Sequence, residues 1–385
     1  IVQNVSRSVI SPDPNLAIDQ IGIPLGVCEK ITFPEPVTKD NLKELQGYVM
    51  NRYENEYPMA LKYSYGTIDD MKNLPPNHRG HRDIEVYEKI ANSLEPGMIV
   101  VRQLIAGDIG LFGRAPHLHR QSELAFRIVP IDDKGFTMNP TVCIPFNADY
   151  DGDQMNVQFV QTVEARDEAK KRMHLTKNII HARYGALTVA TDQDQTSGLY
   201  LLTHTNMRRV NEWNPSTGVG FTDFGIPYVD KNKLIHIYST VFSEIRSGPN
   251  KGQKRTIETL PAPDYGEYYT GRAVFSHLFD VVDANYVSAT FTGNTPKTDQ
   301  NGDIIEGKER VLIENGVLLN GTIEKDAFGE GGSSIAPSFI YHEGYEKGTE
   351  KLCEYIELVT RLGLSIHINL GYSIGIADVG VSTSL

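Results

Sequence analysis

The chain has 385 residues, 40% of them hydrophobic, which suits two or three domains with real cores. Its net charge of -12 excludes a protein that coats nucleic acid through bulk positive charge, since phosphate contacts need Lys and Arg. It leaves room for an enzyme that holds nucleic acid in one local channel. The 34 glycines and 20 prolines point to many turns. No run of about 18 apolar residues occurs and no signal peptide opens the chain, so no membrane partner is expected. Cys28, Cys143 and Cys353 are far apart with no C-x-x-C pair, so neither a disulfide framework nor a zinc site is expected. The start at Ile1 and the end at Leu385 read as those of a fragment of a longer polypeptide.

In chain order, Val9 to Pro14 reads as a short strand entering a proline-rich turn. Leu42 to Asn51 and Glu85 to Ser93 have helical periodicity. Leu94-Glu-Pro-Gly97 is a turn. Met98 to Ile105, Ile109 to Phe112, Ala125 to Val129 and Phe136 to Ile144 read as strands. Several short strands broken by Gly, Pro and Asp suggest a compact barrel rather than a βαβ sheet. Thr162 to His174 is a predicted helix capped by Thr162, with Ala165, Ala169 and Met173 on one face. Leu187 to Leu202 suggests more helix. Asn214 to Asn301 reads as loop-rich, Val311 to Leu319 as a hairpin turning at Asn315-Gly316, and Glu346 to Leu362 as a helix. Arg166, Lys170, Lys171, Arg172, Lys177 and Arg183 form a basic run, either a solvated face or a local anionic contact.

The sharpest feature is Asn147-Ala-Asp149-Tyr-Asp151-Gly-Asp153-Gln-Met155. In a straight strand the three aspartates would share a face but be strung over about 13 Å. A tight turn at Gly152 lets them meet. Three converging carboxylates repel unless a cation sits between them, and Mg²⁺ with oxygen ligands fits phosphate chemistry. A solvated acidic loop and a structural Ca²⁺ loop are the competing readings. An EF-hand counted from Asp149 would need Gly and Glu where Gln154 and Val160 stand, so that form of Ca²⁺ loop is excluded.

This nonapeptide closely resembles the N-A-D-F-D-G-D-(Q/E)-M signature of the largest subunit of multi-subunit DNA-directed RNA polymerases, with Tyr150 for Phe. Ser11-Pro-Asp-Pro-Asn-Leu16 resembles the family's V-I-S-P-D-P-N-L segment. Leu111-Phe-Gly-Arg-Ala-Pro-His-Leu-His-Arg120 resembles L-F-N-R-(Q/A)-P-(S/T)-L-H-R. Asn178 to Gly185, Gln193 to Thr203, Tyr269 to Arg272, Asn315-Gly316 and Gly371 to Ile376 follow in family order, so the resemblance covers essentially the whole chain. The wording is more archaeal, eukaryotic or large-virus than bacterial. Departures are Gly113 for Asn, Gln158-Phe-Val160 for H-(V/L)-P, and Val2 to Arg7 for V-D-(F/Y)-S-A-R.

The resemblance implies an α+β fold. A double-psi β-barrel active-site region with a dock-like insertion would span 1–185, a mixed α/β pore region 186–365, and the truncated start of a helical funnel region 366–385. It implies that Asp149, Asp151 and Asp153 are catalytic and hold one Mg²⁺, with a second Mg²⁺ arriving on the NTP. Arg114 and Asn147 would meet the substrate ribose, and Pro116 would lie near the substrate base. Arg7 and Arg120 would contact nucleic acid. The implied partners are the second-largest subunit and other polymerase subunits, the DNA template, the RNA product and NTPs. The implied location is intracellular: cytoplasm or nucleoid if archaeal, nucleus or viral factory if eukaryotic or viral. Three other readings share the aspartate loop: a single-chain, RNA-templated double-barrel polymerase, a non-catalytic Ca²⁺-stabilised binding module, and a degenerate, inactive polymerase relic, against which the complete triad counts.

Overall fold

The computed structural model describes residues 4–65, 70–75, 84–181, 185–206, 209–242, 260–301, 304–328 and 335–371. Arg183 and the stretch 372–385 lie outside them, as do residues 1–3. The chain forms two compact units. The first comprises the described residues up to Asn139 together with Phe146–Leu175; the second comprises Pro140–Pro145 and the described residues from Thr176 on.

The first unit starts with β1 (Val5–Pro12), β2 (Gln20–Pro24), α1 (Leu25–Cys28) and β3 (Thr32–Pro36). There follow α2 (Leu42–Glu54), β4 (Ala60–Ser64), β5 (Lys72–Asn73), α3 (Ile84–Asn92) and β6 (Ile99–Gln103). It ends with β7 (Ile109–Gly113), β8 (Glu123–Ile131), β9 (Phe136–Met138), the short turn α4 (Cys143–Phe146) that leads back into it, β10 (Gln154–Phe159) and α5 (Val163–Glu168).

Six of these strands close into a barrel in the order β1-β10-β7-β8-β2-β9. The β1/β9 and β2/β8 pairs are parallel and the other four antiparallel, a double-psi type of closure. Alternation fills the barrel: Met155, Val157 and Phe159 of β10 are buried, while Gln154 and Gln158 are exposed and Asn156 is half-buried. Phe112 meets Phe126, Phe136 and Phe146 edge-on, with ring centroids 5.9, 5.9 and 5.7 Å away. The strand expected over Phe136 to Ile144 stops at Met138. Pro140 cannot donate to a ladder, and the chain turns through a 3₁₀ turn (Pro140–Val142) into α4.

The segment between β2 and β7 carries its own sheet, ordered β3-β6-β4-β5. Val37, Leu45, Val49, Tyr87, Leu94 and Val100 form its core with α2 and α3. A buried ionic network ties this insertion to the barrel. Arg102 on β6 bonds Asp108 through both carboxylate oxygens, at 2.7 and 2.8 Å, and Glu35 on β3 at 2.7 Å. Arg166 on α5 donates to the same Glu35 at 3.3 Å and lies over the Phe33 ring, 4.3 Å from its centroid. Thr162 caps α5 as expected, accepting from the Ala165 amide at 3.1 Å. The helix expected to His174 changes at Ala169 into a π turn (Ala169–Met173), which seats Ala169 against Ile109 and Ala125.

The second unit contains α6 (Gln193–Thr203), β11 (Trp213–Asn214), β12 (Val219–Phe221), β13 (Pro227–Val229), α7 (Lys231–Val241), β14 (Tyr269–Thr270) and α8 (Gly271–Val281). Next come β15 (Ala289–Thr298), β16 (Ile304–Glu314), β17 (Val317–Asn320), α9 (Lys325–Phe328), α10 (Ala336–Glu343) and α11 (Tyr345–Leu370). The helix suggested from Leu187 begins only at Gln193, where Asp192 provides a capping box with Gln195. The described residues between Asn214 and Asn301 hold more regular structure than their composition suggests. They include α7 and α8, capped by Asp230 and Thr270, and most of a four-stranded antiparallel sheet. The Asn315-Gly316 hairpin is present, with φ of 48° and 76°, the pairing a tight two-residue turn requires. Helix α11 runs eight residues past the expected Leu362 and crosses α6 at two glycines. A Cβ on Gly198 would stand 1.8 Å from the Gly363 carbonyl oxygen, and one on Gly363 would stand 2.2 Å from that of Gln195. Among the described residues no helix is long and apolar enough to cross a membrane.

Two stability predictions follow from these cores. Arg102→Met leaves Asp108 and Glu35 with only the more distant Arg166, at 3.9 and 3.3 Å, and should cost about 3 kcal/mol in urea denaturation. Burial holds the His204 imidazole down at about 4, and also lowers His277. A histidine depressed in the folded state contributes stability above its unfolded value that is lost as pH falls through that value. Stability should therefore fall by roughly 3 kcal/mol on account of His204 between about pH 6.5 and 4, and His277 should add to the fall. His204→Gln should flatten that slope in denaturation series run across this range.

Candidate metal centre

The nonapeptide loop is pinned at both ends. Phe146 enters the ring cluster inside the barrel, which fixes where the loop leaves α4. At the other end the Ile10 amide of β1 donates to the Asp153 carbonyl at 3.1 Å, and Val9 pairs with Gln154. Between these anchors the backbone reverses through left-handed conformations at Asn147 (φ 47°) and Gly152 (φ 122°). Asn tolerates the first; the second suits glycine.

The reversal brings one carboxylate oxygen from each of Asp149, Asp151 and Asp153 within 4.8 Å of the others. Octahedral coordination at about 2.0–2.1 Å spaces adjacent ligand oxygens by about 2.9 Å and opposite ones by about 4 Å, so side-chain rotation that draws the three inward closes the set around Mg²⁺. Asp149 and Asp151 are exposed and Asp153 is half-buried. Asp151 raises the Asp149 carboxyl above its usual range, chiefly through a hydrogen bond between the two side chains. A divalent cation between them would favour the ionised form of both. An all-carboxylate donor set without Cys or His suits a hard cation.

Arg114, just past β7, reaches the triad from a position 39 residues away. Its Nε lies 2.7 Å from Asp153 Oδ2, and its Nη2 donates to Oδ1 at 3.2 Å. The Asp149 amide donates to Oδ2 at 3.2 Å. Arg114 is the main reason the Asp153 carboxyl sits below its usual range. Strand pairing sets this approach, since Asn156 of β10 faces Gly113 of β7 on one side and Arg7 of β1 on the other.

The other expected site residues occupy their own positions on the barrel. Asn147 is exposed at the start of the loop. Pro116 is exposed, just after a cis Ala115-Pro116 bond. Arg7 is on the outward face of β1 with Val5 and Val9, and Arg120 opens a 3₁₀ turn (Arg120–Ser122). Gly113 has a local reason. A Cβ there would lie 3.0 Å from both His117 Nε2 and the Ser122 carbonyl, so the glycine makes room for that imidazole. Of the basic run, Arg166 is consumed by its pair with Glu35, while Lys170, Lys171 and Arg172 are exposed on the π turn. Sequence reading missed the Arg114–Asp153 pair, which no local spacing signals.

With fold and site in place, comparison with known proteins is specific. Residues 1–175 match the family described as RNA polymerase Rpb1, domain 2, and residues 178–379 match RNA polymerase Rpb1, domain 3. The chain is 34% identical over 383 residues to the DNA-directed RNA polymerase subunit Rpo1N of Halobacterium salinarum, covering 98% of this chain and 33% of that protein. It is 30% identical to Rpo1N of Thermococcus celer, over 98% of this chain and 39% of the relative. It is 31% identical to the human DNA-directed RNA polymerase III subunit RPC1, over 97% and 24%. The chain belongs to the Rpb1/Rpo1N-type largest-subunit family of multi-subunit DNA-directed RNA polymerases. It spans about a third of the length of the archaeal relatives it matches. Membership in this family sets aside the single-chain polymerase and the Ca²⁺-module readings of the loop.

Asp149→Asn and Asp153→Asn should each weaken binding of Mn²⁺, a spectroscopic substitute for Mg²⁺, by at least about tenfold in paramagnetic resonance titrations. Without metal, Asp149→Asn should leave the thermal midpoint level or slightly raised, because it relieves repulsion. A fall in that midpoint would mean the loop is built around something other than a cation.

Proposed function

We propose that this chain is the catalytic-centre portion of a DNA-directed RNA polymerase, carrying out Mg²⁺-dependent, template-directed transfer of nucleotides to an RNA 3′ end with release of pyrophosphate. The observation that carries the reading is the convergence of Asp149, Asp151 and Asp153 beside Arg114 on a closed barrel. A Mg²⁺ ion held there would supply an acidified 3′-hydroxyl and charge stabilisation at the α-phosphate, and a second would arrive with the NTP. The chain's own work is placement. The two pinned ends of the loop hold the carboxylates in register, and the barrel behind them keeps the ligands from relaxing apart.

Arg114 and Asn147 would select ribose. A 2′-hydroxyl both donates and accepts, so a guanidinium donor with an amide that can do either distinguishes it from deoxyribose. Pro116 would border the substrate base, and Arg7 and Arg120 would meet nucleic-acid backbone. Residues 1–185 would be the active-site region with its dock-like insertion, 186–365 the pore region and 366–385 the start of the funnel. The partners would be the second-largest subunit and further subunits, with DNA template, RNA product and NTPs. The setting is intracellular: cytoplasm or nucleoid in an archaeon, nucleus or viral factory in a eukaryote or a virus.

The test is templated nucleotide incorporation. The chain alone should make no RNA, because it is about a third of such a subunit and lacks its partners. A complete assembly containing it should, and Asp151→Asn within that assembly should abolish synthesis. Asn147→Ala should reduce the preference for ribonucleotides over deoxyribonucleotides by roughly tenfold, the worth of one hydrogen bond. Robust synthesis by the isolated chain, or synthesis that survives Asp151→Asn, would overturn the reading.

A further inference from the structure

We propose that Arg114 is the resident counter-ion of the carboxylate triad and competes with the divalent cation for Asp153. A carboxylate has about four lone-pair sites. Three of those on Asp153 are engaged: Oδ2 accepts from Arg114 Nε at 2.7 Å and from the Asp149 amide at 3.2 Å, and Oδ1 accepts from Arg114 Nη2 at 3.2 Å. The two-pronged geometry is the strongest form of such a pair. Both side chains are half-buried, at 23% and 21% exposure, so solvent screens the pair less than it would at a fully exposed site. Asp149 and Asp151, by contrast, stand in solvent.

A divalent cation joining the triad shares one carboxylate with a guanidinium of the same sign. Repulsion between the two positive charges across that shared carboxylate makes Arg114 withdraw as the cation binds. Arg114 thus has two partners that exclude each other: Asp153 before the cation arrives, and whatever enters the site afterwards. The pair acts as a restraint on metal affinity, and cation binding frees a guanidinium beside the cluster. This rests on the triad being the metal centre of the proposed function and adds a role for Arg114 that precedes substrate.

The sign of a mutational effect decides the matter. If Arg114 merely supported the loop, removing it would weaken metal binding. If it competes, removal tightens binding. In Mn²⁺ titrations of the whole chain followed by paramagnetic resonance, Arg114→Gln should bind roughly five- to tenfold tighter than wild type, and Arg114→Lys should fall between them. Equal or weaker binding by Arg114→Gln overturns the proposal. A measurement on the unmodified chain guards against a variant that folds poorly. The Arg114 Nε–H resonance should lose its protection from solvent exchange on saturation with Mg²⁺, and retained protection overturns the proposal as well. Asp153→Asn separates the two levels of inference. If it binds Mn²⁺ as well as wild type, the triad is not the metal centre and the proposed function falls too. If it loses binding while Arg114→Gln matches wild type, only the counter-ion role falls.

Discussion

Mutual repulsion among three carboxylates is the constraint around which the first unit is arranged. A five-residue loop free in water would spread these groups apart, so something outside the loop must oppose the spreading. The barrel does this with apolar packing at one end, through Phe146, and with strand pairing at the other, through β1 and β10. The two anchors are coupled by the alternation of β10. Sliding that strand by one residue against β1 would turn Met155, Val157 and Phe159 toward water and carry Asp153 to the wrong face. The position of a ligand is therefore enforced by the burial of three side chains that never touch it.

The same logic reaches the insertion. Asp108 immediately precedes β7, and β7 ends where Arg114 begins its approach to Asp153. Arg102 grips Asp108 from the inserted sheet, while Arg166 closes the network from α5. A subdomain with its own core thus stabilises the base of the strand whose tip serves the site. Buried charges of this sort add little net stability over an apolar substitute, but they specify one geometry once formed.

Much of this was legible in the residues. The aspartate loop, the Thr162 cap and the Asn315-Gly316 turn are local signals, and each led to the right local structure. The alternation in β10 was an equally local signal that went unread. What stayed hidden was non-local. Phe136 to Ile144 has strand composition throughout, but only Phe136–Met138 has neighbours to pair with. The region after Asn214 read as loop because β12, β13 and β14 are only two or three residues long, β14 pairs with β13 across about 40 residues, and the longer β15 carries Gly293, Asn294 and Pro296. The caps at Asp230 and Thr270 were visible signals of α7 and α8 within that stretch. The Arg114–Asp153 pair depends on barrel closure and could not be read from either segment alone.

The crossing of α6 and α11 has a different kind of consequence. Where Gly198 meets Gly363, backbone rests on backbone with no side chain between. The spacing of most helix pairs is set by interleaved side chains and changes when they change. Here it is set by peptide atoms, whose dimensions are the same in every protein. The residues around the crossing can drift in size over evolutionary time while the distance between the two helices stays put. That contact is the unit's fixed datum, and the rest of its interior is free to be re-dimensioned around it.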